Sequence, residues 1–167
     1  KAGATGAPAP AAEAVKTYNW KLQIHIDPGN VAWELTRRMV DFIATASNGQ
    51  LNIEPFPGDA IVPYGKEIDG LIDGTIDAAI TDGMLHVHLL PQASVLSTRP
   101  AGLNMLQMLT WYWEGRGEAL AQQLYDQVGL KWITTGPAHG TVIRLQSGTP
   151  ITSLADIQGY KMRVIGD

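Results

Sequence analysis

The sequence contains no cysteine. Disulfides, thiolate metal sites and cysteine nucleophiles are therefore excluded, while the redox compartment stays open. Positive charge is also scarce. Twelve Lys+Arg face sixteen Asp+Glu, for a formal net charge of −4. A general nucleic-acid or membrane-surface binder would need a basic patch, so those classes are disfavoured. No stretch approaches the roughly 20 apolar residues that a membrane-spanning helix needs. Hydrolase and nucleotide-binding motifs are missing as well: there is no G-x-S-x-G, no P-loop and no H-E-x-x-H. What remains, with 45% hydrophobic and 17% charged residues, is the composition of a globular chain rather than a disordered or fibrous one. Its 167 residues suit one domain with a single core, and two full domains would be a tight fit.

Residues 1–17, KAGATGAPAPAAEAVKT, are nearly all Ala, Gly, Pro and Thr. They lack the apolar centre of a signal peptide and cannot bury enough surface to order themselves. Two readings stand side by side: a flexible tail of any origin, and the spacer left by export processing.

The body opens at Tyr18. Residues 18–26, YNWKLQIHI, alternate with period two, with Trp20, Leu22, Ile24 and Ile26 on one face, and read as a strand. Asp27-Pro28-Gly29-Asn30 ends it, and Asn30 is a good N-cap for a helix. From Val31 the period becomes helical, with Val31, Leu35, Met39, Phe42, Ile43 and Ala46 as the expected inner stripe. Asn48-Gly49 supplies a left-handed stop. Residues 51–56 read as a second strand, about Lys66 to Asp73 as a second helix with Ile68, Leu71 and Ile72 inward, and residues 76–81 as a short buried strand. Strand–helix–strand–helix–strand is the pattern of an α/β fold with a parallel sheet.

Residues 82–103 read as a loop with one strand at most. Helices are expected at 104–114, with Met105, Leu109 and Tyr112 in a stripe, and at 118–128, with Leu120, Leu124 and Val128 in a stripe and Gly129 as the cap. Residues 130–135 and 141–146 are expected strands. Ser153 to Asp156 has the form of a capping box opening a short helix, and residues 160–165 form a last strand.

Few residues suggest chemistry. His86 and His88 could share one side of a strand as metal ligands with Asp82 nearby, but a solvated or hydrogen-bonded pair explains them better than a metal site. The carboxylates Glu67, Asp69, Asp73 and Asp77 read as a solvated face. Trp111-Tyr112-Trp113 cannot all face one core; packing explains one or two of them, and an aromatic wall is the alternative. Arg144 and Arg163 each sit within an apolar strand. An unpaired buried charge is costly, so each needs a carboxylate partner from protein or ligand, unless its strand is an edge facing solvent. A guanidinium matches a carboxylate with two parallel hydrogen bonds.

Residues 153–164, SLADIQGYKMRV, resemble the S-L-A-D-L-x-G-x-K-(M/L)-R-(V/I) signature of the solute-binding proteins of tripartite ATP-independent periplasmic (TRAP) transporters. Three other segments are similar to pieces of the same family in the same order: 49–58, GQLNIEPFPG; 68–79, IDGLIDGTIDAA; and 118–131, EALAQQLYDQVGLK. The resemblance covers about Tyr18 to Gly166. ABC-type periplasmic binding proteins share blurred versions of these pieces and are the alternative, with a small α/β hydrolase or metal-dependent enzyme behind them.

The resemblance implies a periplasmic-binding-protein-like (type II) α/β fold of two lobes closing on a small organic acid, acting as a receptor and not as an enzyme. It places most of lobe I at 18–130 and the start of lobe II at 131–167, so the fold would be incomplete here. By itself the chain would then bind ligand poorly. It assigns the carboxylate clamp to Arg163. Arg144, on the preceding strand, is a second candidate, although its spacing to Ser153 departs by one residue. The loop after the first strand, Asp27 to Asn30, borders the cleft and makes Asn30 a contact. Asp82, after the third strand, would be another, with a ligand hydroxyl, a water or a cation between it and an acid. No metal or cofactor is implied. The implied partners are TRAP permease subunits and no nucleic acid. The implied place is extracytoplasmic, with a lipid anchor through a missing N-terminus as a variant. Residues 111–117, WYWEGRG, resemble members that bind 2-oxo acids or lactate, some of them dimeric, so a homodimer and a small monocarboxylate are the expectations.

Overall fold

The computed structural model describes residues 16–97, 102–134 and 147–161. Three parallel strands form the sheet: β1 (Tyr18–Ile24), β2 (Leu51–Phe56) and β3 (Ala78–Ile80). Their order is β2-β1-β3, with Tyr18 opposite Leu51 and Leu22 opposite Ala78. The first strand is therefore central. Leu22, Gln23 and Ile24 are all buried, so the last half of β1 is covered on both faces rather than alternating. Ile26, expected on the strand, lies beyond its end.

Helix α1 (Val31–Ala46) begins where Asn30 predicts, with the Asn30 side-chain oxygen accepting from the Ala32 N–H at 2.9 Å. Asn48 and Gly49, both with positive φ, end it as expected. Its inner face differs from the expected stripe. Thr36 and Val40 are buried, whereas Val31, Leu35, Met39 and Phe42 are exposed. Thr36 can turn inward because its hydroxyl donates to the Ala32 carbonyl at 2.8 Å and needs no other partner. Apolar residues at i and i+4 define a stripe without saying which stripe meets the sheet.

Helix α2 (Glu67–Ile72) buries Ile68 but leaves Ile72 exposed. Glu67, expected on a solvated face, is fully buried. After β3 the chain forms two 3-10 helices, Gly83–His86 and Pro91–Leu96, and no strand among the described residues between 82 and 103. Helices α3 (Met105–Trp113) and α4 (Gly117–Tyr125) come next, the second continued by a 3-10 turn and closed by Gly129 at φ 73°. Their inner residues are Met108 and Tyr112, and Ala121, Leu124 and Tyr125; Met105 and Leu120 are exposed. These side chains, with Ile68, Leu90 and Ala93, make one apolar cluster. The aromatic run divides: Tyr112 is buried, Trp111 packs at the cluster edge and Trp113 is exposed. Trp132 stacks between Tyr112 and Tyr125 at centroid distances of 6.1 and 5.3 Å. The expected strand at 130–135 is absent over its described part, 130–134, because this segment packs as a cover on α4: the Gln122 side chain accepts from the Trp132 N–H. Residues 154–157 form a 3-10 turn whose Asp156 carboxylate reaches back to the Ser153 N–H at 2.8 Å. Residues 1–15 of the expected leader, the strand at 141–146 and residues 162–165 of the last strand lie outside the described residues.

A buried polar chain ties β3 to the helical layer. The Thr81 hydroxyl donates to Glu67 Oε2 at 3.3 Å, so its oxygen must accept from His86 Nε2, 3.1 Å away. That fixes the proton on Nε2 and leaves His86 Nδ1 to accept from the Tyr125 hydroxyl at 2.7 Å. Burial, before any nearby charge, lowers the His86 pKa to about 4, consistent with a neutral ring. Burial likewise raises the Tyr125 pKa, keeping it a donor. His86 is thus hydrogen-bonded, as expected, but to Tyr125 and Thr81. His88 meets Asp69 at 2.9 Å instead, and the two rings do not share a strand face.

Two outcomes test this packing. A Cβ on Gly117 would stand 2.6 Å from Tyr112 Cα, so Gly117→Ala is expected to cost roughly 1–3 kcal/mol by urea unfolding, whereas Gly148→Ala, with open space around it, leaves stability unchanged. The unfolded chain binds more protons than the folded one below the ordinary imidazole range, so His86 contributes stability above that range that is lost as pH falls towards its folded value. Between about pH 7.5 and pH 5 the loss is about 2 kcal/mol, and His86→Gln removes that component of the slope. Parallel curves for the two proteins would show that His86 titrates alike in the folded and unfolded chain and overturn its neutral burial.

Candidate functional site

In a parallel sheet, the connections leaving adjacent strands separate where the strand order reverses, and a crevice opens at the carboxyl ends there. Here β1 leads through α1 to β2 on one side, and β3 returns to the other side of β1. The crevice is an open cavity of about 530 Å³ lined by His25, Asp27, Asn30, Tyr64, Asp82 and Leu85, among others. Two residues expected at a site, Asn30 and Asp82, meet in it. Arg144 and Arg163 lie outside the described residues.

Each wall residue is held by local chemistry. Asp82 caps the 3-10 turn after β3: its Oδ1 accepts from the Met84 N–H at 2.9 Å and the Ser97 hydroxyl at 2.5 Å. Its Oδ2 makes no hydrogen bond among the described residues. The preceding residue, Thr81, is anchored by the His86–Tyr125 chain, so the loop carrying Asp82 is fixed from beneath. Asn30 spends its oxygen on the α1 cap and keeps its amide nitrogen. The Asp27-Pro28-Gly29 turn uses Gly29 at φ 99°, a conformation that side chains resist.

Sequence reasoning missed His25 and Tyr64. His25 is the residue after β1, and the carboxyl end of a central parallel strand is the signal that could have found it. Its Nδ1 lies 3.0 Å from the Ile80 carbonyl. A carbonyl only accepts, so His25 Nδ1 is the donor in this bond. Tyr64 tilts against the His25 ring at 6.2 Å. Its N–H donates to Asp59 Oδ1 at 2.6 Å. The loop carrying it is clamped by Gln23, buried in β1. Gln23 Oε1 accepts from the Ile61 and Val62 N–H groups at 3.0 Å each, and Nε2 donates to the Val62 carbonyl at 2.8 Å. A buried amide left unpaired there would cost several kcal/mol, so three bonds make the position tenable.

A smaller apolar cavity of about 330 Å³ lies between the Pro91–Leu96 turn, α3 and α4, lined by Val95, Trp111 and Leu120. Among the described residues that line it, none is charged. Among the described residues no group of three or more His, Asp or Glu could hold a metal ion. No described helix is long and apolar enough to cross a membrane.

The model of bacterial extracellular solute-binding protein, family 7 (DctP), matches residues 26–167. A solute-binding protein of Roseobacter denitrificans is 31% identical over 148 residues, covering 84% of this chain and 42% of its own length. A monocarboxylate 2-oxoacid-binding periplasmic protein of Nostoc sp. is 28% identical over 127 residues, covering 74% and 34%. The chain thus spans about two fifths or less of the curated relatives it matches. Among solved structures, a TRAP periplasmic solute-binding protein from Rhodobacter sphaeroides, in an apo open state, superposes with a TM-score of 0.64 at 27% identity over 70% of this chain and 38% of that one. One from Pseudoalteromonas atlantica, solved with sodium and pyruvate, has the same TM-score at 20% identity, covering 68% and 35%, and shows the fold. These relatives are transport receptors, which sets aside the hydrolase, metal-enzyme and ABC-type alternatives. The parallel α/β sheet and its switch-point cleft agree with that fold: the chain belongs to the bacterial extracellular solute-binding protein family 7, whose solved relatives are TRAP periplasmic solute-binding proteins.

Proposed function

We propose that this chain supplies one wall of the ligand cleft of a TRAP receptor that binds a small organic acid, a monocarboxylate, and delivers it to a membrane permease outside the cytoplasm. The observation that carries the proposal is the cavity at the carboxyl ends of β1 and β3, with its wall fixed by buried hydrogen bonds before any ligand arrives. Rigid placement lowers the ordering cost of binding. Relatives bearing the name of a 2-oxoacid-binding protein, or solved with pyruvate, support an acid of that size.

Arg163 is the proposed carboxylate clamp and Arg144 a second contact; Asn30 and Asp82 face the ligand from the wall described here. Lobe I at 18–130 and the start of lobe II at 131–167 are proposed with them, since a clamp across the cleft needs a second body. Binding, not bond making, is the whole of the chemistry. Closure removes water from the guanidinium–carboxylate pair and strengthens it. A homodimer is compatible with one relative, from Bordetella bronchiseptica, that was solved as a dimer.

Thermal shift of the protein at its natural length against a panel of organic acids tests the reading. Stabilisation by small monocarboxylates is expected, with affinity lost by about 100-fold or more in Arg163→Ala. Full affinity in that variant would remove the clamp, and metal-dependent turnover would remove the receptor.

A further inference from the structure

We infer that Asn48 is a site of spontaneous covalent modification, its amide converting to aspartate and isoaspartate, and that the C-terminal cap of α1 sets the rate. The inference is independent of the ligand and of the cleft.

An asparagine amide is lost when the backbone nitrogen of the next residue reaches the side-chain carbonyl carbon. A side chain on that next residue hinders the approach, and glycine has none. Of the five asparagines in the sequence, Asn48 alone is followed by Gly; Asn19, Asn30, Asn52 and Asn104 precede Trp, Val, Ile and Met. Asn48 and Gly49 are both exposed, so water and base reach them. The Gly49 nitrogen, its proton taken by solvent base, bonds to the Asn48 Cγ. The bond from Cγ to Nδ2 breaks, and ammonia leaves with a proton from water. Water then opens the five-membered imide at either carbonyl. The conversion consumes water, releases ammonia and needs no oxidant or reductant.

The fold restrains this step. Asn48 and Gly49 stand at φ 51° and 74°, the left-handed stop of α1. In that geometry the Gly49 N–H donates back to the Ala44 carbonyl at 2.8 Å, so the proton that must leave is held and the nitrogen is turned into the helix end. Ser47 locks the arrangement. Its hydroxyl donates to the Ala44 carbonyl at 3.2 Å and accepts from the Leu51 N–H at 3.1 Å, tying the last turn of α1 to the start of β2. The reaction therefore runs in molecules whose cap is open, and its native rate follows the open fraction. The product works against reclosing. Isoaspartate adds a methylene to the backbone between residues 48 and 49. The bonds from Gly49 to Ala44 and from Gln50 to Ser47 then fall out of register, and with them the bond from the Tyr18 N–H to Gln50 that starts the pairing of β1 with β2.

The receptor at its natural length, held in mildly alkaline buffer with and without urea, tests this. The peptide carrying Asn48 is followed by mass spectrometry, with fragmentation that separates isoaspartate from aspartate. In urea, Asn48 is expected to convert faster than the other four asparagines. The native rate should be lower by about tenfold or more. Ser47→Ala should raise the native rate about fivefold and leave the rate in urea unchanged. Native protein enriched in isoaspartate at 48 should unfold at lower urea than fresh protein. No conversion of Asn48 in urea, or faster conversion of another of the five, overturns the site. Equal native and urea rates overturn the control by the cap, as does a native rate that Ser47→Ala does not change. An unaltered urea midpoint in the isoaspartate form overturns the consequence drawn for β2.

Discussion

The placement of β1 between β2 and β3 is the constraint on which the rest depends. A central parallel strand has both edges paired and both faces covered, so its side chains must be apolar or completely hydrogen-bonded. Leu22 and Ile24 meet the first condition and Gln23 the second. The same pairing puts the carboxyl ends of β1 and β3 side by side while their connections diverge, which opens the cleft. Gln23 links the two consequences. Its amide closes three hydrogen bonds with the loop at Ile61–Val62, and that loop carries Tyr64 to the cleft wall.

A second support comes from the helical layer. The directed chain from Tyr125 through His86 and Thr81 to Glu67 crosses from α4 to α2 and passes through the residue just before Asp82. Each proton in it has one acceptor, so the direction of every bond is set. The wall therefore has two independent anchors, one from the sheet and one from the helices. Both are polar and buried, which fixes geometry more sharply than apolar contact alone. The Tyr112–Trp132–Tyr125 stack closes the outer side of the same layer.

Much of this architecture was legible in the residues. Asn30 as a cap, Asn48-Gly49 as a stop and the run at 51–56 depend on local backbone chemistry, and they fall where expected. Asn30 and Asp82 were legible as cleft residues only through the family resemblance. The inner face of α1 was not legible, because Val31, Leu35, Met39 and Phe42 are as apolar as any core stripe yet stay exposed. Glu67 misled for the opposite reason. A carboxylate in a charged-looking helix reads as solvated, and its burial is made tenable by the Gly65 N–H nearby and by Thr81, fourteen residues away. His86 and His88 looked like a pair because they are two residues apart. A 3-10 turn sends them to different partners.

The sequence by itself determined the order of strands and helices from β1 to β3, the cap and stop of α1, and the absence of thiol, nucleophile and phosphate-loop chemistry, since each of these is written in short-range spacing. Tertiary structure decided which apolar stripe faces inward, which nitrogen of His86 holds the proton, and that His25 and Tyr64 share a wall with Asp82. Those features depend on groups tens of residues apart being brought to within 3 Å or so, as with His25 and Ile80. A hydrogen bond assigns donor and acceptor only when both atoms are in place.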